Sequence, residues 1–289
     1  MEYDSVFDRA CLIQLSTSVW TPTKMLDQTV MEKLGKNSDW LRGRKFIINP
    51  ELLGPLNTTA HMARKLIHRY SLPFPISGIY LIPKDHLIHV DSRLEEYRKE
   101  FAEKVSVFEK EYEHARNEAR LALGSLFNEG DYPINIKEKF RFNWSFLTIS
   151  IPGKTTILSP EIYEREAKKF KDMMEEAKDL ASYALINEFR DIIDGLTERL
   201  SGSPKTLKGS MFNKLYEFID SLETKNLFNN SLVKEFAEEA KEALKGISPY
   251  GLSYSESVKN AVRESMNALK ESVYAAIEDL PKRKIRLVA

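Results

Sequence analysis

The sequence lacks most of the features that announce a chemistry. It has one cysteine, Cys11, in 289 residues. An intramolecular disulfide and a cysteine-rich zinc site are therefore excluded. Charge of one sign is missing as well, since 43 Lys and Arg balance 43 Asp and Glu. That balance excludes a uniformly basic nucleic-acid coat and a self-repelling disordered chain. No apolar run approaches the ~20 residues that span a bilayer. The opening MEYDSVFDRA is acidic and mixed, where a signal peptide would be basic and then apolar. No membrane contact is expected, and the chain reads as cytoplasmic. Glycine and proline, at 12 each, are too sparse for a low-complexity chain, while 42% hydrophobic residues suffice for one or two cored domains.

Catalytic motifs are equally scarce. The histidines His86 and His89, with Asp85 beside them, could share a helix face, but no H-E-x-x-H or cysteine pair completes a metal site. Gly153-Lys154-Thr155 has the look of a P-loop end, yet Thr148 stands where the motif needs its first glycine. Cys11 lies in an apolar strand-like run and reads as a small packed hydrophobe. No G-x-S-x-G is present. The many carboxylates are spaced against Lys and Arg as solvated i,i+4 pairs. No catalytic residue, metal or cofactor is expected, and the chain reads as a non-enzyme.

What the sequence does contain is periodicity. Residues 11–20 are rich in β-formers, and Thr21-Pro22-Thr23 has the look of a helix start, with a stop near Gly35. Asn49-Pro50-Glu51 opens a second helix that ends before Pro73, and Ile79–Ile82 forms a short strand. From Leu87 the period lengthens. Leu87, Val90, Leu94, Tyr97, Phe101, Val105, Phe108, Tyr112, Ala115, Ala119, Ala122 and Leu126 recur at alternating steps of three and four, the pattern of a coiled-coil-like seam. Such a helix is roughly 55–60 Å long at ~1.5 Å per residue.

A turn at Asn128–Asp131 follows. Phe140, Phe142, Trp144 and Phe146 then alternate with polar residues as a one-sided strand that carries on to Ile151. After Ser159-Pro160 a second seam runs through Tyr163, Ala167, Phe170, Met174, Ala177, Ala181, Leu185, Phe189, Ile192, Leu196 and Leu200. Shorter amphipathic helices occupy about 207–225 and 231–246. Ser253 with Glu256 has capping-box spacing before a last helix.

The expected fold is therefore mainly α with a small β-sheet: a small mixed α+β head and an elongated helical-hairpin or bundle body. Residues 1–152 form the head with its long helix, 153–203 a second long helix packing on the first, and 204–289 a C-terminal helical bundle segment with a basic tail.

Two basic clusters stand out against the neutral background. Arg42, Arg44 and Lys45 precede a helix carrying Arg64, Lys65 and Arg69. The tail adds Lys282, Arg283, Lys284 and Arg286. Such patches suit phosphate backbones or an acidic protein partner.

The run Ser16-Thr-Ser-Val-Trp20-Thr-Pro-Thr-Lys24 is similar to the opening of a family of bacterial and phage proteins of unknown function, where a strand ends in a Val/Ile-Trp pair followed by a Lys. The resemblance continues through Phe46-Ile-Ile-Asn49-Pro50-Glu51-Leu52-Leu53, Gly78–Pro83 and Phe140–Ile149, covering about residues 10–152. It implies a genomic setting beside MoxR-type AAA+ ATPases and von Willebrand factor A-domain proteins that resemble cobaltochelatase subunits. It supplies no catalytic residues. The leading expectation is a non-enzymatic accessory or scaffold subunit of a larger assembly, such as an AAA+ remodelling system of a phage or mobile element. The alternative is a nucleic-acid-binding subunit of a phage, plasmid or CRISPR-like defence complex. Self-association through the seams stays open.

Overall fold

The computed structural model describes residues 4–33, 42–150, 159–201, 212–247 and 255–279. The protein is helix-dominated with a small antiparallel four-stranded sheet, as its periodicities require. In chain order the elements are α1 (Asp4–Arg9), β1 (Ala10–Ser18), β2 (Thr23–Met25), α2 (Gln28–Lys33), β3 (Arg44–Phe46), α3 (Gly54–Tyr70), β4 (Leu72–Pro73), β5 (Ile79–Pro83), α4 (Leu87–Leu123), β6 (Arg141–Leu147), α5 (Pro160–Ser201), α6 (Asn213–Lys225), α7 (Ser231–Ala243) and α8 (Glu256–Asp279). The sheet order is β4-β5-β1-β6, and β2 and β3 form a separate two-stranded ribbon.

The chain divides into two compact units. The first comprises Met1–Ile13, Tyr70–Leu87 and Phe146–Ala289; the second comprises Gln14–Arg69 and Ile88–Ser145. In the first unit α5 is the central element. It packs most extensively along α8 and also touches β4, α6 and α7. Its buried stripe is Phe170, Met174, Ala177, Ala181, Leu185, Phe189, Leu196 and Leu200, widened by Ser182, Ile186, Ile193 and Thr197. Ile193 is fully buried, whereas Ile192 of the expected seam is only partly so. The stripe is broader than a strict coiled-coil seam because several helices surround α5 and its apolar arc must face all of them. Phe189 stands at the centre, 5.4 Å from the ring of Phe218 on α6 and stacked 6.1 Å from Phe236 on α7.

Beside this core, Lys225 is nearly fully buried, and its ammonium reaches the Glu188 carboxylate at 3.0 Å. A buried ammonium needs such a partner. Asp194 on α5 accepts from Lys270 Nζ at 2.8 Å and from the Tyr274 hydroxyl at 2.8 Å, tying α5 to α8 by a second polar contact. Those two donors hold its carboxyl below the usual aspartate value against the opposing effect of burial.

The second unit is organised on α4. Its buried residues Val90, Leu94, Phe101, Val105, Phe108, Tyr112, Ala115 and Ala119 all lie on the expected seam. Phe101 meets Phe140 and Phe142 at 6.4 and 5.5 Å. Phe108 and Tyr112 meet Trp20 at 6.4 and 5.8 Å.

Helix ends follow their local chemistry. The Asn49 side chain accepts from Glu51 N ahead of the 3-10 turn Pro50–Leu53, an arrangement that satisfies an orphan donor at the entry to α3. After α4 the chain reverses at Gly124, whose φ of +52° is left-handed and suits glycine.

Three expectations need correction. Thr21-Pro22-Thr23 opens a strand, not a helix. Thr23 pairs with Phe46 and Met25 with Arg44, and α2 begins only at Gln28. The β-branched Thr23 finds its ladder partner far along the chain, where a local cap pattern cannot see it. The expected stop near Gly35 lies outside the described residues. The aromatic strand ends at Leu147, where its strict alternation breaks down, and Ile151 is outside the described residues. The last helix is capped by Ser255, whose Oγ accepts from Val258 N at 3.4 Å; Ser253 is outside the described residues.

Burial also sets a pH response in the second unit. Desolvation pushes the Tyr112 phenol up to about 12 and raises Tyr132 in the same way. Tyr112 OH donates to Pro133 O at 3.1 Å, and Tyr132 OH donates to Ile47 O at 2.6 Å. The unfolded chain releases these protons near pH 10. The contribution of Tyr112 to stability is therefore full below about pH 10 and is lost as the pH rises through about 12. Tyr112→Phe should cost about 1 kcal/mol near neutrality through the lost hydrogen bond and show a shallower alkaline decline. Urea midpoints of both proteins at about pH 8 and about pH 11 test this; parallel declines would remove Tyr112 as the cause.

Candidate interaction surface

The β2–β3 ribbon carries Arg44 and Lys45 of the predicted basic residues, with Arg42 just before it. Its register is Thr23↔Phe46, Lys24↔Lys45 and Met25↔Arg44. Because side chains alternate across a strand, Thr23, Met25, Arg44 and Phe46 share one face, with Lys24 and Lys45 on the other. The two faces have different fates.

On the inner face Lys45 is largely buried. Its Nζ lies 2.7 Å from Asp131 Oδ2 and 2.6 Å from the Leu126 carbonyl oxygen. This charge staples the ribbon to the turn that follows α4. Tyr132, next to Asp131, adds its hydrogen bond to Ile47 O just beyond β3. Gly43 completes the support: a Cβ there would come within 2.7 Å of Leu26 Cδ1 and 2.8 Å of Met31 Sδ. Glycine lets these two side chains pack there without moving.

The outer face is open. Phe46 is 58% exposed and Met25 46%, with Arg44 and the preceding Arg42 exposed beside them. Large apolar side chains held out on a braced ribbon are unlike scattered surface hydrophobes, which need no explanation. The ribbon also borders a cleft of about 320 Å3, lined by Met25, Asp27, Val30 and Lys45 on one side and by residues 125–129 on the other. Two of the cleft's charges are matched. Lys45 is held by Asp131, and Glu129 is paired with Arg116 at 2.5 Å and Arg120 at 3.0 Å.

The remaining predicted residues sit elsewhere. Arg64, Lys65 and Arg69 are exposed on α3. Arg64 is bonded to the Thr17 hydroxyl of β1. Helix α3 meets α4 through Thr59, whose hydroxyl lies 3.0 Å from Glu100 and 2.8 Å from Lys104 Nζ. Lys45 is anchored instead at Leu126, past the end of α4. Helix α3 is thus tied to the middle of α4, whereas Lys45 is tied to the turn that follows it. Lys282, Arg283, Lys284 and Arg286, and Gly153-Lys154-Thr155, lie outside the described residues.

Trp20 is structural: it packs edge-on against Tyr112. Lys24 is exposed. Cys11 is half-buried, and desolvation raises its thiol pKa. Among the described residues no group of three or more His, Cys, Asp or Glu could hold a metal ion, and no helix is long and apolar enough to cross a membrane. Sequence reasoning found Arg42, Arg44 and Lys45 but missed Phe46 and Met25. The available signal was the alternation Arg42-Gly-Arg44-Lys-Phe46, which places cations and an aromatic on one side of a strand.

The fold and this surface define a helix-rich protein with a small antiparallel sheet and a braced ribbon whose outer face is apolar and basic. The chain belongs to the family described as a protein of unknown function, DUF3150, which matches residues 7–216. The match extends beyond the resemblance seen over about residues 10–152, through α5 and into α6. No curated protein and no solved structure matches the chain.

Proposed function

We propose that this protein is a non-enzymatic accessory or scaffold subunit that docks onto a larger assembly, an AAA+ remodelling system of MoxR type. The observation that carries the reading is the outer face of the ribbon. Phe46 and Met25 are held out beside Arg42 and Arg44 on a backbone fixed from behind by Lys45, Asp131 and Gly43. A rigid presented patch loses little conformational entropy on binding, which favours a partner. The genomic setting implied by the family resemblance suggests which partners to try: the AAA+ ATPase and the von Willebrand factor A-domain protein.

Co-expression of the three chains followed by size-exclusion chromatography with light scattering is the test. Co-elution is expected. A chain that elutes alone in the presence of both, with and without ATP, overturns the reading.

The alternation of Arg42, Arg44 and Phe46 also suits the second reading, a single-stranded nucleic-acid surface that combines charge with stacking. If that were its role, log K would fall by about 0.7 per phosphate contact per decade of salt on a single strand. Arg42→Glu with Arg44→Glu would then flatten that slope. The expected result is negligible binding of oligo-dT at physiological salt. Tight binding abolished by the double reversal would promote the nucleic-acid reading.

A further inference from the structure

We infer that the outer edge of β3 is a docking site for an extended acidic segment of a protein partner, which joins the ribbon as a third strand. This inference rests on the accessory-subunit reading and specifies how the partner is held.

The ribbon's hydrogen bonds fix which backbone groups are available. Leu26 N donates to Gly43 O and Ile47 N donates to Pro22 O, each at 2.9 Å. With the Thr23↔Phe46 register, positions 22, 24 and 26 therefore stand at the hydrogen-bonded sites, facing 47, 45 and 43. In an antiparallel pair the intervening residues turn their N–H and C=O groups outward. Those residues are Arg44 and Phe46 on β3 and Thr23 and Met25 on β2. The β2 edge is partly blunted, because Thr23 N–H is spent on Thr21 O at 2.9 Å. Among the described residues β3 pairs with no strand but β2. An unpaired strand edge is a ready template for another chain.

The side chains say what kind of chain fits. Arg42, Arg44 and Phe46 alternate along this edge, so a strand laid beside it places every second residue against arginine, arginine and phenylalanine in turn. The matching pattern is two carboxylates and one apolar residue at alternate positions. Charge on an edge usually keeps it unpaired. Here Phe46, 58% exposed, adds an apolar foothold that serves no such protective purpose.

A polypeptide suits the edge better than a polyanion. Outward N–H and C=O groups call for a partner that both accepts and donates, and phosphates only accept.

The test uses the full chain and fluorescein-labelled peptides of alternating threonine, with Glu, Glu and Leu at the intervening positions, made in both chain directions. Fluorescence anisotropy is expected to show binding by one direction and none by the lysine-for-glutamate counterpart. Backbone N-methylation on the side facing β3 should abolish it, because main-chain bonds hold an added strand. Arg44→Glu and Phe46→Ser should each weaken it by at least about tenfold, with unchanged melting curves since both residues are exposed.

No binding by either acidic peptide, or binding indifferent to N-methylation or to Arg44→Glu, overturns the inference. So does oligo-dT binding as tightly and falling with the same variants. The same two variants in the three-chain co-expression separate this inference from the reading it rests on. A complex that survives them sinks the ribbon edge and leaves the accessory role standing. Variant-sensitive peptide binding with no complex from the wild-type chain sinks that role and leaves the edge.

Discussion

Replacing Phe189 with alanine is expected to remove about 3–5 kcal/mol of stability, the range for emptying a buried phenylalanine site. The side chain is fully buried, with Phe218 and Phe236 packed on it from α6 and α7. Truncation would strip both neighbours of their contacts at once. Three helices frame the site, so the walls cannot close on the void without moving whole elements, and relaxation should recover little. Domains of this kind are held by only about 5–15 kcal/mol. Urea unfolding followed by far-UV circular dichroism should therefore show a large drop in midpoint. Phe189→Leu keeps most of the volume and should lose much less. A loss below about 1 kcal/mol for the alanine variant would show that the cluster is not the centre of the unit.

Phe101→Asp should be comparably severe in the second unit. Phe101 is 3% exposed and lies between α4 and the aromatic strand, against Phe140 and Phe142. A carboxylate placed there has no cation to meet in that aromatic contact. It must take up a proton or open the structure, and either course costs several kcal/mol. Trp144 lies 6.2 Å from Phe142, so tryptophan fluorescence reads the damage directly. Val107, on the same helix, is 62% exposed. Val107→Asp should stay within about 0.5 kcal/mol of the wild type. Equal behaviour of the two variants would mean that the seam has been placed on the wrong face of α4.

Much of this architecture was legible in the chain. The three-four spacing of Val90 through Ala119 marked the buried stripe of α4 at every position but Tyr97, which is half-buried, since any helix with one apolar stripe shows that period. Asn49-Pro50 marked the start ahead of α3 because a cap and a fixed φ are local chemistry. The ribbon was not legible. Thr21-Pro22-Thr23 satisfies the same local rules as a helix start, and its strand pairing depends on Phe46, a partner that no cap pattern reveals.

The candidate surface divides in the same way. Composition and spacing singled out Arg42, Arg44 and Lys45 as one cluster of like charge. Three neighbouring cations in a sequence carry no mark of which will be consumed by the fold. Strand alternation turned Lys45 inward, where Asp131 and the Leu126 carbonyl neutralise it, and left Arg44 outside with Phe46.

The sequence by itself determined the helix and strand periods, the balance of charge and the apolar stripes, because these depend on residues a few positions apart. Only the tertiary structure decided which elements fill each stripe, that β2 pairs with β3, and which cation is spent on structure. Each of those depends on closing the chain over long separations. Many closures bury similar apolar area, and the choice among them rests on the joint packing of all the elements.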